Sequence, residues 1–308
     1  MSAERTAQAY GPGVTAASKS VLIELATLLR AYHDALVLVG GWVPSLLLER
    51  HRAADAPAAV HVGSIDIDLA VDPRTIDEPQ YATIIELLTG RGYRPAHDRR
   101  GGAMPSSVER VVQSPVNDKS YTIRVDFLTP PDPGSGAQQP HRWLQEAWMA
   151  RKIRGCEAAF AHHEPVELTG TLPDGGGAIT VPMRMADLVG CLTMKGIVLG
   201  ERYREKDAYD LYMLLRHYAG GPRAAAEAMR PHLEEPLVAE AVAAMARAFG
   251  ERGAHGPAWT AAFLNPVYRE ERERVLTDVF MVAQEFLQGL ARPGNQAVRR
   301  AGARVPVG

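Results

Sequence analysis

The segment Ser64-Ile65-Asp66-Ile67-Asp68-Leu69 restricts the fold of this chain more than any other stretch. Side chains alternate faces along a strand, so Ile65, Ile67 and Leu69 share one face while Asp66 and Asp68 share the other. Such a strand must lay its apolar face on a core and turn its acidic face to a cleft or to solvent. Two carboxylates side by side on a rigid strand repel each other unless a cation lies between them. Oxygen donors of this hard type suit Mg2+, with Mn2+ as its usual substitute. The plainer alternative is an edge strand with a solvated acidic face.

A second segment, Ile123-Arg124-Val125-Asp126-Phe127-Leu128, repeats the pattern, with Ile123, Val125 and Phe127 on one face and Asp126 on the other. Three carboxylates from two strands suit a two-metal phosphoryl- or nucleotidyl-transfer site, whose ions lie about 3.5–4 Å apart. The competing reading of Asp126 is a surface salt bridge with a neighbour such as Arg124. A third feature precedes both: the apolar run ALVLV leads into Gly40-Gly41 and then Trp42, with Pro44 placed for the first turn of a helix. Glycines at a strand-to-helix turn let backbone approach a phosphate, and the helix start offers free N–H groups. Taken alone, a Gly-Gly pair is an ordinary tight turn.

The remaining composition bounds the possibilities. The chain has 308 residues and a formal charge of −2, so nucleic acid would have to be held by local basic patches rather than by a general field. Cys156 and Cys191 have no metal-type spacing and read as reduced thiols. The apolar run ALVLVGGWVPSLLL is cut by Gly40, Gly41 and Pro44, which excludes a membrane span there. A soluble, cytoplasmic protein is expected. The pair His162-His163 lacks partner ligands at helical spacing and reads as a surface pair. Arg99-Arg100, Arg151-Lys152-Arg154 and Arg269-Arg272-Arg274 are each either phosphate-tracking clusters or solvated faces.

Periodicity predicts an α+β front half and an all-helical back half. The expected divisions are a loose segment at 1–20, a catalytic domain at 21–183, a helical domain at 184–292 and a mobile tail at 293–308. Hairpins are expected at VERVVQ/YTIRVDFL and PVELTG/AITVP, and WLQEAWMARKIR reads as a helix.

Strand-Gly-Gly-helix, then S-x-D-x-D-L, then an Asp on a later strand resembles the polymerase-β nucleotidyltransferase superfamily. The back half sharpens this. Lys195 in LTMKGIVLGERYREKDAYDLYMLL, followed by Lys206-Asp207-x-x-Asp210-Leu211, resembles the AbiEii family of nucleotidyltransferase toxins and its MenT-type relatives. The resemblance spans about residues 36–215 and implies a polymerase-β-type mixed sheet with flanking helices, plus a helical C-terminal domain. It implies that Asp66, Asp68 and Asp126 hold Mg2+ or Mn2+. Gly40, Gly41 and Ser64 would lie at the triphosphate of an NTP, and Lys195 would neutralise its charge. Asp207 or Asp210 would orient that lysine or help with the acceptor. If the helix runs on, Lys195, Arg202, Lys206 and Asp210 share one face at spacings of 7, 4 and 4. A solvated Lys206–Asp210 ion pair would look the same. The implied acceptor is RNA, above all the 3′ end of tRNA, and the implied role is that of a toxin with a cognate antitoxin. The rivals are an aminoglycoside-type nucleotidyltransferase and a non-catalytic nucleotide-binding module. Trp42, where a small residue is usual, and Val62, where an arginine is frequent, depart from the family pattern.

Overall fold

The computed structural model describes residues 6–53, 60–76, 78–98, 100–132, 140–145, 148–201 and 205–291. Residues 12–20, expected to be loose, instead open helix α1 (Pro12–Leu28), whose Ala17, Ser18 and Ser20 are buried. Small residues there are a packing choice. A Cβ on Gly13 would come within 2.2 Å of the Asn117 side chain. Pro12 starts the helix at a position whose N–H has no partner anyway.

Strand β1 (Leu36–Val39) is apolar on both faces and buried throughout, as a central strand must be. The Gly-Gly turn follows, then α2 (Trp42–Arg50). Strand β2 (Ile67–Val71) begins later than expected: Asp66 lies in the bend just before it, and Asp68 is its second residue. Next come α3 (Glu78–Gly90), the short strand β3 (Arg94–His97), and the expected hairpin of β4 (Ala103–Gln113) and β5 (Ser120–Thr129). The segment expected to be a helix at 143–154 forms the antiparallel pair β6 (His141–Gln145) and β7 (Trp148–Lys152) instead. Its helix-like spacing yields to pairing: β4 leaves the edge of β5 after Asp126, and β7 takes its place alongside Leu128 and Thr129. Helix α4 (Cys156–Ala161) leads to the second expected hairpin, β8 (His163–Thr171) and β9 (Ala178–Ala186). The sheet order is β3-β4-β5-β2-β1-β9-β8, with parallel pairings of β2 with β5, β5 with β7 and β1 with β9.

The back half is helical: α5 (Leu188–Glu201), α6 (Glu205–His217), α7 (Pro222–Met229), α8 (Pro236–Phe249), α9 (His255–Leu264) and α10 (Arg269–Ala291). The α+β class with a mixed sheet and a helical C-terminal part is thus the observed one. The expected boundary at 183/184 is not a domain boundary, because it falls inside β9, and one buried apolar cluster runs from Ala17 to Leu290. Arg202 and the tail at 293–308 lie outside the described residues. Among the described residues no helix is long and apolar enough to cross a membrane.

Candidate active site

Parallel pairing of β2 with β5 sets Asp68 directly opposite Asp126. Neighbouring strands lie about 4.8 Å apart, and in-register parallel partners point to the same face. The two carboxylates therefore meet because the Ile67/Leu69 and Val125/Phe127 faces are both fully buried, leaving the acids the opposite side. Burial first, and then the charge of Asp126, pushes the Asp68 carboxyl up to about 7. Asp126 is buried and accepts a 2.5 Å hydrogen bond from the Ser107 hydroxyl on β4. Asp66 joins them from the bend before β2.

Arg124 holds these acids together. Two residues before Asp126 on the same strand, it lies on the same face. Its Nη2 donates to Asp66 Oδ2 at 3.1 Å, and its Nε lies 3.3 Å from Asp126 Oδ1. Burial opposes the guanidinium charge, but Asp66 and Asp126 outweigh it and hold the Arg124 pKa above its usual value. The salt-bridge reading of Asp126 and the acid-cluster reading are both realised, in one place. Arg151 of β7 faces the same acids, and its buried Nε has no hydrogen-bond partner among the described residues. The Arg151-Lys152-Arg154 cluster is divided by this arrangement: Lys152 pairs with Asp132 at 2.7 Å and Arg154 with Glu240 at 2.5 Å.

The opposite wall is built by α5 and α6. Lys195 Nζ donates to Asp210 Oδ2 at 2.6 Å and to Asp207 Oδ1 at 3.0 Å, and Lys206 Nζ donates to Asp210 Oδ1 at 2.7 Å. On one continuous helix, Lys195 and Asp210 would be about 22 Å apart along the axis. The single-helix reading of the 7-4-4 spacing is therefore wrong: α5 ends at Glu201, α6 starts at Glu205, and the two pack together. Asp210 is completely buried, and Lys195 and Lys206 hold its carboxyl far below the usual range despite that burial. Burial disfavours the Lys195 ammonium too, but Asp210 and Asp207 keep it charged. His61 completes the knot. Its Nδ1 accepts from the Gly63 N–H at 3.0 Å, so its Nε2 carries the proton given to Asp210 Oδ1 at 2.9 Å. Burial keeps this imidazole neutral by lowering its pKa.

The Gly-Gly turn joins the two walls. Gly40 has φ +74°, and a Cβ there would sit 2.0 Å from Asp68 Oδ2. A Cβ on Gly41 would lie 2.5 Å from the Ser64 hydroxyl and 3.6 Å from Lys206 Nζ. The start of α2 has no side-chain cap, and Gly40, Gly41 and Val43 line the cavity. Trp42 points the other way, donating its indole N–H to Ser18 of α1 at 3.0 Å, so its bulk leaves the cavity open. The Val62 backbone N–H is 3.3 Å from the Tyr209 hydroxyl, tying the His61–Ser64 loop to α6.

Gly40, Gly41, Ser64, Asp66, Asp68, Asp126, Lys195, Lys206, Asp207 and Asp210 thus all line one cavity of about 290 Å3. Arg124, Arg151 and Tyr10 also line it. The sequence offered Arg124 as a salt-bridge partner of Asp126 and Arg151 as part of a phosphate-tracking cluster, whereas nothing in it pointed to Tyr10. Arg99 lies outside the described residues, and Arg269, Arg272 and Arg274 are exposed among Glu270, Glu271 and Glu273 at the start of α10.

No family model and no curated protein matches this chain. Two solved structures are similar to it in fold. One is an antigenic nucleotidyltransferase-like protein from Paracoccidioides brasiliensis, at 14% identity and TM-score 0.40, covering 84% of this chain and 92% of that one. The other is a proposed nucleotidyltransferase from H. pylori, at 14% identity and TM-score 0.34, covering 87% and 96%.

Proposed function

We propose that the cavity transfers a nucleoside monophosphate from an NTP to an acceptor hydroxyl, with Mg2+ or Mn2+ held by Asp66, Asp68 and Asp126. The observation that carries this reading is the division of one small cavity into a wall of three carboxylates and a wall bearing two lysines, with an uncapped helix start between them. The acid wall fits a hard divalent cation: the donors are all carboxylate oxygens, and Asp68 resists ionisation while no cation is near. The cation wall fits a triphosphate. Lys206, Ser64 and the backbone at Gly41 converge on one spot.

A bound divalent ion would supply charge neutralisation at the transferred phosphoryl group and its leaving oxygen. The chain's own contribution is positioning and electrostatics, which phosphoryl-type transfer chiefly needs. Asp210 holds Lys195 and Lys206 in place and keeps the Lys195 ammonium charged, while burial draws the Lys206 ammonium below its usual pKa. Ser107 and Arg124 orient Asp126, and the Gly40 turn lets Asp68 stand against the backbone. Asp207, the more open partner of Lys195, is the carboxylate nearer the acceptor.

The acceptor we propose is an RNA end, as the AbiEii-like motif at Lys195–Leu211 implies, with growth inhibition relieved by an antitoxin as the cellular role. A second cavity of about 1110 Å3 adjoins the first at Ile153 and is lined by Arg74, Arg142, Lys152 and Arg154. Each of these cations already has an acidic partner, so a short terminus rather than a long duplex suits it. Incubation with each labelled NTP, Mg2+ and total tRNA should label a 3′ terminus, and Asp68→Asn should lower the rate by about 100-fold or more. Labelling of an aminoglycoside and of no RNA would transfer the same chemistry to a small-molecule acceptor. Labelling of neither would leave a nucleotide-binding module.

A further inference from the structure

We infer that His162, His232 and Glu235 form a second metal site, for a zinc-class divalent ion, distinct in position and chemistry from the acid cavity. His162 ends α4 just before β8, His232 closes a 3-10 turn after α7, and Glu235 is the residue ahead of α8. Their ligand atoms all lie within 4.8 Å of one another. His162 Nε2 is 2.7 Å from Glu235 Oε2, and His232 Nδ1 is 2.7 Å from Glu235 Oε1. The two imidazole rings meet edge to face, with centroids 4.6 Å apart.

Two imidazoles and a carboxylate are the donor set of a three-ligand zinc site that keeps one position for water. With Zn–N near 2.0–2.1 Å, tetrahedral ligands sit about 3.3 Å apart, so closing the present cluster from within 4.8 Å by side-chain rotation converts these contacts into coordination. The ligands stand on ordered backbone. The Glu235 N–H donates to the His232 carbonyl at 3.0 Å, and the Asp187 N–H donates to the His162 carbonyl at 3.1 Å. His162 is 11% exposed, whereas Glu235 is 45% exposed, which leaves an open side for water and for entry of the ion. Soft-to-borderline imidazole donors select against Mg2+, so this site and the carboxylate wall would sort different cations.

Its position suggests what it does. Gly190 of α5 packs against the His162 carbonyl, where a Cβ would come within 2.5 Å, and Gly196 of the same helix packs on Ala241 of α8. The ion would tie the α4–β8 junction to the start of α8 across α5, the helix that carries Lys195. It would clamp the cation wall of the active cavity from outside.

The test uses the full chain carrying Asp68→Asn, so that binding at the acid wall is weakened, after dialysis against a chelator. Titration with Co2+ should give a visible d–d spectrum saturating at one equivalent, and Zn2+ should displace it and raise Tm by several degrees. His232→Ala on that background should weaken Co2+ and Zn2+ binding at least about 100-fold, more than loss of a supporting hydrogen bond does. Glu235→Gln, which keeps the side-chain shape, should do the same should His232→Ala fold poorly. Absence of a stoichiometric Co2+ signal, or equal affinity in folded His232→Ala and Glu235→Gln proteins, would overturn the site and leave an ion-paired cluster. Because the readouts are spectroscopic and thermal, they stand whether or not nucleotide transfer is observed.

Discussion

At the scale of single residues, the acid wall is a site where function and stability oppose each other. Asp68 has its carboxyl raised from 3.8 to about 7 by burial and by Asp126. A carboxyl that titrates higher in the folded than in the unfolded chain binds more protons when folded, so stability falls as the pH rises between those two values. In metal-free buffer, the stability difference between the parent and Asp68→Asn should therefore widen in favour of the variant from about pH 4 to about pH 7 and stay level above. Denaturant midpoints across that range, with chelator present, check this, and Mn2+ should stabilise the parent more than the variant. The lysine wall behaves differently. Asp210 is buried with three donors on it, so Asp210→Ala strands buried cations and should cost about 3–5 kcal/mol. Asp207 is more open and its one side-chain partner among the described residues is Lys195, which keeps Asp210, so Asp207→Ala should cost about 1.5–3 kcal/mol, less than Asp210→Ala, while reducing transfer. Comparison of unfolding free energy with kcat/KM separates the structural carboxylate from the one facing the acceptor.

At the scale of elements, the strand–Gly-Gly–helix junction is the hinge of the site's geometry. Gly40 answers two demands at once, a left-handed φ and contact with Asp68. Ala in that backbone region costs about 1–2 kcal/mol, and its methyl would also push the Asp68 carboxylate aside. Gly40→Ala should lower stability by at least about 1 kcal/mol and weaken Mn2+ binding, measured by thermal unfolding with and without the ion. Stabilisation by Mn2+ equal to that of the parent would show that the junction does not set the position of Asp68. The elements that sequence periodicity misjudged share a cause. β6 and β7 contain aromatic and long aliphatic residues compatible with either helix or strand, and the free edge of β5 beyond Asp126 decides in favour of strand. In the helical back half, Pro231 and Pro236 divide the alanine-rich stretch into α7 and α8.

At the scale of the whole molecule, sheet and helices share one buried apolar cluster. Gly196 and Gly200 of α5 seat Ala241 and Ala244 of α8, and Lys195 finds both of its carboxylate partners on α6. A fragment ending at residue 201 would expose the apolar face of α5 and leave the Lys195 ammonium unpaired. It should lack a cooperative thermal transition by circular dichroism and be cut rapidly by protease, whereas the full chain should unfold in a single step. A fragment that melts cooperatively would restore the two-domain organisation expected from composition.

The sequence by itself determined which residues could share a face. Strict alternation around Asp66, Asp68 and Asp126 forces the carboxylates off the apolar side, and glycine at position 40 marks backbone that other residues resist. It also announced a sheet-rich front and a helical back, because period 2 and period 3.6 are local properties. Only the tertiary structure decided what each of those faces meets. It set Arg124 and Arg151 beside the acids and folded α6 back on α5 so that Asp210 could hold two lysines. It seated His61 on that same aspartate, 149 positions away in sequence, and brought His162 to His232 and Glu235. The physical reason is that alternation and turn chemistry act over a few residues of backbone. The partner of a buried charge is chosen instead by which surfaces must close together to remove apolar area from water.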